Sequence, residues 1–211
     1  MVYHQTMRST NSTDGRSFLE AARRAQIVAC AIDALAEEGF GHATLARIAE
    51  RAEVSKSVIV YHFGGKDAVF EQVVADVFAA ATEAVRPAVD AETTAAGRLR
   101  AYLRARIAFL GTHRRHMLAL FELWMNLRDA DGRPRLGERD AEATLDAIEA
   151  ILLAGQRSGE FGEFSAPVMA MTIRQAVDGV LLRLRARPDL DLDTYARELV
   201  ALFERATRRR P

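Results

Sequence analysis

Lys56 and Lys66 are the only two lysines among 29 basic residues, and they bracket the short segment Ser57-Val58-Ile59-Val60-Tyr61-His62-Phe63. The chemistry open to such a segment is recognition. Cations at its ends suit phosphates, and small, hydroxyl and apolar side chains between them suit base edges. Bond-making chemistry has no comparable support. The chain contains no G-x-S-x-G, H-E-x-x-H, phosphate-binding glycine loop or Cys-x-x-Cys, so an enzyme reading lacks a nucleophile and a base, and no cofactor is expected. His113 and His116 have no acidic or cysteine partner at a convincing metal spacing, which favours solvated histidines and no metal site. A second concentration of unusual side chains is Met117, Phe121, Trp124 and Met125, one tryptophan among them. At helical spacing these either line a ligand cavity or fill a bundle.

Charge sharpens the first reading. The 29 basic and 29 acidic residues cancel, which taken alone argues against nucleic acid. The distribution is uneven. Between Gly41 and Lys66 the cations Arg47, Arg51, Lys56 and Lys66 face only Glu50 and Glu53, whereas residues 138–164 are strongly acidic.

The elements that position these residues are read as helices throughout. Glycine (13) and proline (5) are scarce and alanine, leucine and arginine abundant, which disfavours a sandwich or barrel. Residues 1–17 read as a flexible polar arm containing Arg8 and Arg16. Helical periodicity then predicts segments over about 18–38, 45–52, 56–62, 66–85, 95–113, 115–128, 138–158, 166–186 and 194–208, with the first clear break at Pro87. Thr44 and Ser55 are N-caps of the second and third helices. Those two helices are too short to be stable alone. Ile48, Ala49, Val54, Ile59 and Phe63 supply the contacts that fix them as a helix-turn-helix, leaving Ser57, Val58, Val60 and Tyr61 outward. That face is small enough for a major groove of about 12 Å. The fold expected is all-α: a three-helix DNA-binding unit over 18–66 and a larger helical bundle over 67–211, about nine helices in total. There is no run of about 18 apolar residues and no secretory signal, and the single Cys30 makes no internal disulfide. Those features point to a cytoplasmic protein with no membrane partner.

The pattern Phe40-x3-Thr44-x3-Ile48-Ala49-x2-Ala52-x-Val54-Ser55-x3-Ile59-x-Tyr61-His62-Phe63-x2-Lys66 resembles the DNA-binding domain of TetR-type transcriptional regulators. The segments FELWMNLRDADGRPRL, GQRSGEF and AVDGVLLRLRARPDL resemble, more weakly, the C-terminal domain of the BetI-like branch. The resemblance implies that Thr44, Tyr61, His62 and Lys66 hold phosphates while Lys56, Ser57 and Val58 approach bases. Three positions depart from the family: Glu53 at the turn, usually glycine; Ser57, at a small position that is often glycine; and Val60, often aromatic, which here could meet a thymine methyl. The implied function is a ligand-responsive regulator, expected to be a repressor, acting as a homodimer on a palindromic double-stranded DNA operator. The ligand site is expected among Phe109, Met117, Phe121, Trp124 and Met125. The dimer seam is expected at Met169, Ile173, Val177, Val180, Leu181 and Leu184, with Leu199, Leu202 and Phe203. The effector is of unknown identity; a choline-type cation follows only from the BetI-like likeness. The alternative is a helical small-molecule-binding or interaction protein whose DNA-binding unit is vestigial.

Overall fold

The computed structural model describes residues 11–136, 138–187 and 189–209, and side chains except those of 11–16 and 138–141. Among them are nine helices: α1 (Asn11–Glu38), α2 (Leu45–Arg51), α3 (Lys56–Phe63), α4 (Lys66–Asp90), α5 (Ala95–Thr112), α6 (Arg114–Asn126), α7 (Glu138–Ser158), α8 (Ala166–Ala186) and α9 (Leu192–Thr207). The extended pairing among the described residues is confined to two isolated bridges, Arg128 with Pro134 and Phe161 with Arg208. No helix is long and apolar enough to cross a membrane among the described residues. The chain divides into two compact units between Val73 and Val74, within α4.

Two boundaries differ from the sequence reading. α1 begins at Asn11, so part of the expected arm is helical. Ser, Thr, Asn and Asp suit a first helical turn, and only Gly15 weakens the run before Phe18. Arg8 lies outside the described residues, as does the side chain of Arg16. α4 runs through Pro87 to Asp90. Proline's φ is helical, and Glu83, whose carbonyl loses its donor, lies on the exposed face where water can replace it. The break falls instead at 91–94.

In the first unit α1 supplies Ile27, Val28, Ala31, Ile32 and Leu35 to a core completed by Ile48, Ala49, Ile59, Phe63, Val69, Phe70 and Val73, all buried. Helices of seven and eight residues persist because this core holds them. In the second unit α5 packs against α6, α7, α8 and α9. Its stripe Leu99, Tyr102, Leu103, Ile107 and Leu110 is buried, facing Leu123, Ile148, Leu152, Ile173, Val177, Val180 and Phe203.

The GQRSGEF segment proves to be a structural clip. A Cβ on Gly155 would stand 2.2 Å from the Phe161 ring, so only glycine admits that ring. Gln156 donates to the carbonyls of Gly162 (3.2 Å) and Phe164 (2.9 Å). The Glu160 carboxylate accepts from the first amides of α5, Ala95 and Ala96, at 3.1 Å each. Thr94 Oγ1 accepts from Gly97 N at 3.0 Å. The start of α5 is therefore capped twice, and the backbone bonds hold the Glu160 carboxyl below its ordinary range.

Candidate nucleic-acid interface

Thr44 opens α2 in extended conformation, and its Oγ1 accepts from Arg47 N at 3.2 Å. Glu53 sits in the turn at φ 52°, left-handed backbone that ordinarily selects glycine. It is exposed, so its charge points to solvent. Ser55 is the residue before α3 but makes no side-chain cap; its Oγ meets Ser57 Oγ at 2.7 Å. Gly64, at φ 80°, ends α3, with its amide on Val60 O at 2.7 Å.

Two faces of α3 separate cleanly. Ile59 and Phe63 are buried, while Val60 is 46% and Tyr61 76% exposed. Lys56 and Ser57 are also exposed; Val58 and His62 are half-buried. Tyr61 and His62 stand edge to face at 5.1 Å. Lys66 Nζ lies 5.0 Å from the centroids of both Phe40 and Phe70, which fixes its ammonium at the start of α4. Thr44 is exposed at the start of α2. The residues expected to meet DNA thus occur on α3 and at the starts of α2 and α4.

The local charge differs from a simple count. Arg47 pairs with Glu38 at 2.9 Å and Glu50 at 2.8 Å. Arg51 pairs with Glu37 at 2.8 Å and Glu38 at 2.5 Å. Hydrogen bonds from Arg51 and then Arg47 hold the Glu38 carboxyl below its ordinary range. Two of the four local cations are therefore occupied in tying α2 to α1, and Lys56 and Lys66 are left for an anion.

Two α1 residues complete the unit and were missed in the sequence. Arg24 donates to the His62 carbonyl and to Gln72 Oε1 (3.1 Å), with its guanidinium 4.0 Å from the Phe63 ring centroid. Gln26 Nε2 donates to Ala52 O at 3.1 Å. Each satisfies a carbonyl at the end of a short helix, which its own helix cannot do. The available signal was register: Arg24 precedes Ile27, Val28 and Ala31 on the buried stripe.

The expected ligand-binding residues differ in burial. Phe109 and Met117 are buried core, Phe121 and Trp124 are half-buried, and Met125 is 52% exposed. Met125 lies at the surface because helix periodicity brings it one residue past Trp124, turned about 100° away. Arg174 lies over the Trp124 ring and Arg185 over the Phe121 ring, each at 5.4 Å. Phe109 stacks on His113 at 4.2 Å, so that histidine is part of an aromatic contact.

The expected dimer seam divides by burial. Ile173, Val177, Val180, Leu181, Leu184, Leu199 and Phe203 are buried in the protomer's own core. Such residues have little surface left to offer a second copy, and Met169 is half-buried. Leu202 alone of that set is largely exposed, at 49%. The outward stripe of α8 is instead Val168, Met171 and Leu182, at 65%, 44% and 54% exposure, with Gln175 between them. An amphipathic helix shows one apolar face in its sequence; these helices carry two, and periodicity favoured the inner one.

Residues 27–73 match the family model for bacterial regulatory proteins, tetR family. The HTH-type transcriptional regulator BetI of Cronobacter sakazakii is 28% identical over 193 residues, spanning 89% of this chain and 91% of that one. The fatty acid degradation regulator FadR from Bacillus halodurans has a similar fold, with a TM-score of 0.76 at 19% identity over 89% of this chain and 97% of that one. FadR from Bacillus subtilis, solved in complex with stearoyl-CoA, gives 0.73 at 19% identity over 84% and 96%.

Proposed function

From membership of the TetR family, to which this chain belongs as a helix-turn-helix DNA-binding transcriptional regulator, we propose that it is a ligand-responsive repressor. It binds a palindromic operator as a homodimer in the cytoplasm. Residues 18–66 carry DNA binding, and residues 67–211 carry effector binding and dimerisation. The observation behind this reading is the outward face of α3. Lys56, Ser57, Val60 and Tyr61 are exposed together there, while Arg47 and Arg51 are neutralised by glutamates. Lys56, Ser57, Val58 and Val60 are assigned to base edges, and Thr44, Tyr61, His62 and Lys66 to phosphates.

A dimer is supported by the exposed apolar side chains Val168, Met171 and Leu182 on α8 and Leu202 on α9. Such a face on one protomer is costly in water and suits a second copy of itself. Two recognition helices reading successive major grooves need a separation of about 34–36 Å. An effector that prefers a state with a different separation releases DNA by shifting populations. The stearoyl-CoA bound by the Bacillus subtilis FadR supports the reading that this chain has a small-molecule effector.

Mapping the bound sites across the genome, followed by titration of one site in vitro, tests this reading. Expected are a two-fold symmetric site, one dimer per site, and an effector that lowers affinity. Failure to prefer any sequence over random duplex at physiological salt would reject it.

A further inference from the structure

Where α5 packs against α8, two half-buried arginines stand near one carboxylate. Tyr102 and Arg106 stand one turn apart on α5, and Arg174 and Asp178 one turn apart on α8. α5 packs against α8; Arg106 hydrogen-bonds the Tyr102 hydroxyl, and the charges of both arginines bear on Asp178. Tyr102 is buried, and only 12% of the Arg174 side chain is exposed. Arg174 Nε reaches Asp178 Oδ2 at 3.3 Å, the one carboxylate among these four groups. Arg106 Nε is buried and has no hydrogen-bond partner.

Two cations therefore share one carboxylate, and one buried donor is left over. Burial pushes the Asp178 carboxyl up against the opposing pull of both arginines, which weakens the one anion present. An arrangement with an orphaned guanidinium nitrogen is costly unless an anion completes it. The Asp178 side chain keeps 37% of its exposure, so the cluster reaches solvent at that edge.

We propose that Arg106 and Arg174, with the Tyr102 hydroxyl, form the receptor for the anionic head group of an effector, a carboxylate or phosphate. Guanidinium forks suit both groups. This rests on the reading that the second unit binds an effector, and it names the effector's chemistry. A quaternary ammonium is disfavoured. Such a cation needs open aromatic faces, yet one face of the Trp124 ring and one face of the Phe121 ring already hold Arg174 and Arg185. The cation suggested by the BetI-like segments would meet like charge here.

The experiment uses the fluorescence of Trp124, the only tryptophan, in the full-length protein without DNA. The probes are octanoate, benzoate and inorganic phosphate, with octanamide and choline as uncharged and cationic counterparts. At least one anion is expected to give a saturable change that octanamide and choline do not. A response to phosphate alone assigns a phosphate head group; a response to the carboxylates alone assigns a carboxylate. Arg106→Gln and Arg174→Gln should each weaken binding at least tenfold. Tyr102→Phe, which preserves the packed shape, should weaken it several-fold and covers the case in which the arginine variants do not fold. No saturable change with any anion, equal binding of octanamide or choline, or unaltered affinity in the folded variants overturns the proposal. Operator release is read separately. An anion that binds here but leaves DNA affinity unchanged upholds the head-group assignment and rejects effector control. An effector that releases DNA equally from wild type and the folded variants does the reverse.

Discussion

Arg24 lies with its guanidinium 4.0 Å from the centroid of the Phe63 ring while donating to the carbonyl of His62. One α1 side chain thus holds both the last buried residue of α3 and the carbonyl beside it. Adding a cation–π contact of about 0.5–1 kcal/mol to a charged hydrogen bond of about 1.5–3 kcal/mol gives the scale. Arg24→Ala should cost roughly 2 kcal/mol in the first unit, discounted for partial exposure. Arg24→Lys should recover only part, since one ammonium cannot bond His62 and Gln72 as a fork does. Urea unfolding followed by circular dichroism measures both. Equal stability of all three proteins would remove Arg24 from the scaffold.

Glu53 bears the one positive φ among described non-glycine residues, 52°. Left-handed backbone costs an L-residue about 1–2 kcal/mol. Glycine escapes that penalty but loses more chain entropy, about 0.5–1 kcal/mol. Glu53→Gly is therefore expected to raise stability by roughly 0.5–1 kcal/mol, and Glu53→Val to lower it. Thermal unfolding decides; an unstable glycine variant would show that Glu53 contributes an attraction outweighing its strain.

Lys56 and Lys66 should behave unlike Arg47 and Arg51. Losing Lys66 should weaken binding to all duplexes and reduce the slope of log affinity against log salt by about 0.9, whereas losing Lys56, assigned to base edges, should change sequence preference as well. Arg47→Ala and Arg51→Ala should lower stability and leave that slope nearly unchanged, because both guanidiniums face Glu37, Glu38 and Glu50. Ser57→Ala and Val60→Ala should change sequence preference more than affinity. Titrations at several salt concentrations on specific and random DNA separate the three classes.

Acid should loosen the latch between α1 and α2. Glu38 has a folded-state pKa below its unfolded one, owing first to Arg51 and then to Arg47. The folded chain therefore binds fewer protons here. The stabilisation is complete above the unfolded carboxylate range and is lost as pH falls through the folded value. Glu38→Gln should flatten that part of the stability curve and leave neutral pH as the condition of largest loss relative to wild type. Urea midpoints at a series of pH values check the sign; a variant that loses more at low pH would contradict it.

Leu182 and Leu202 are exposed, whereas Val180 is fully buried. Leu182→Glu with Leu202→Glu should give folded monomers, since both changes lie outside the protomer's core. Val180→Glu should unfold the second unit, because a buried carboxylate there has no partner. Sedimentation velocity with circular dichroism distinguishes the two. A folded, intact dimer in the first variant would place the interface elsewhere.

The sequence by itself determined the helices and the reading head. Helical periodicity and caps marked α7 over 138–158 and α8 over 166–186 to the residue, and the spacing Thr44–Lys66 carried the helix-turn-helix. Those signals are local: turn glycines, cap residues and a stripe repeating every three or four positions all lie within a few residues of what they specify. What tertiary structure decided is which face and which partner. α8 is apolar on two sides, and only packing against α5 and α7 shows that Val177 and Val180 turn inward while Met171 and Leu182 turn out. Arg47 and Arg51 look like DNA-binding cations until α1 brings Glu37 and Glu38 beside them. Glu160 caps a helix that begins 65 residues earlier in the chain. Arg106 and Arg174 are ordinary helix-surface cations in the sequence, and come to share Asp178 only when α5 meets α8. Charge pairing and burial depend on distances in space, and no spacing along the chain encodes those for residues on different helices.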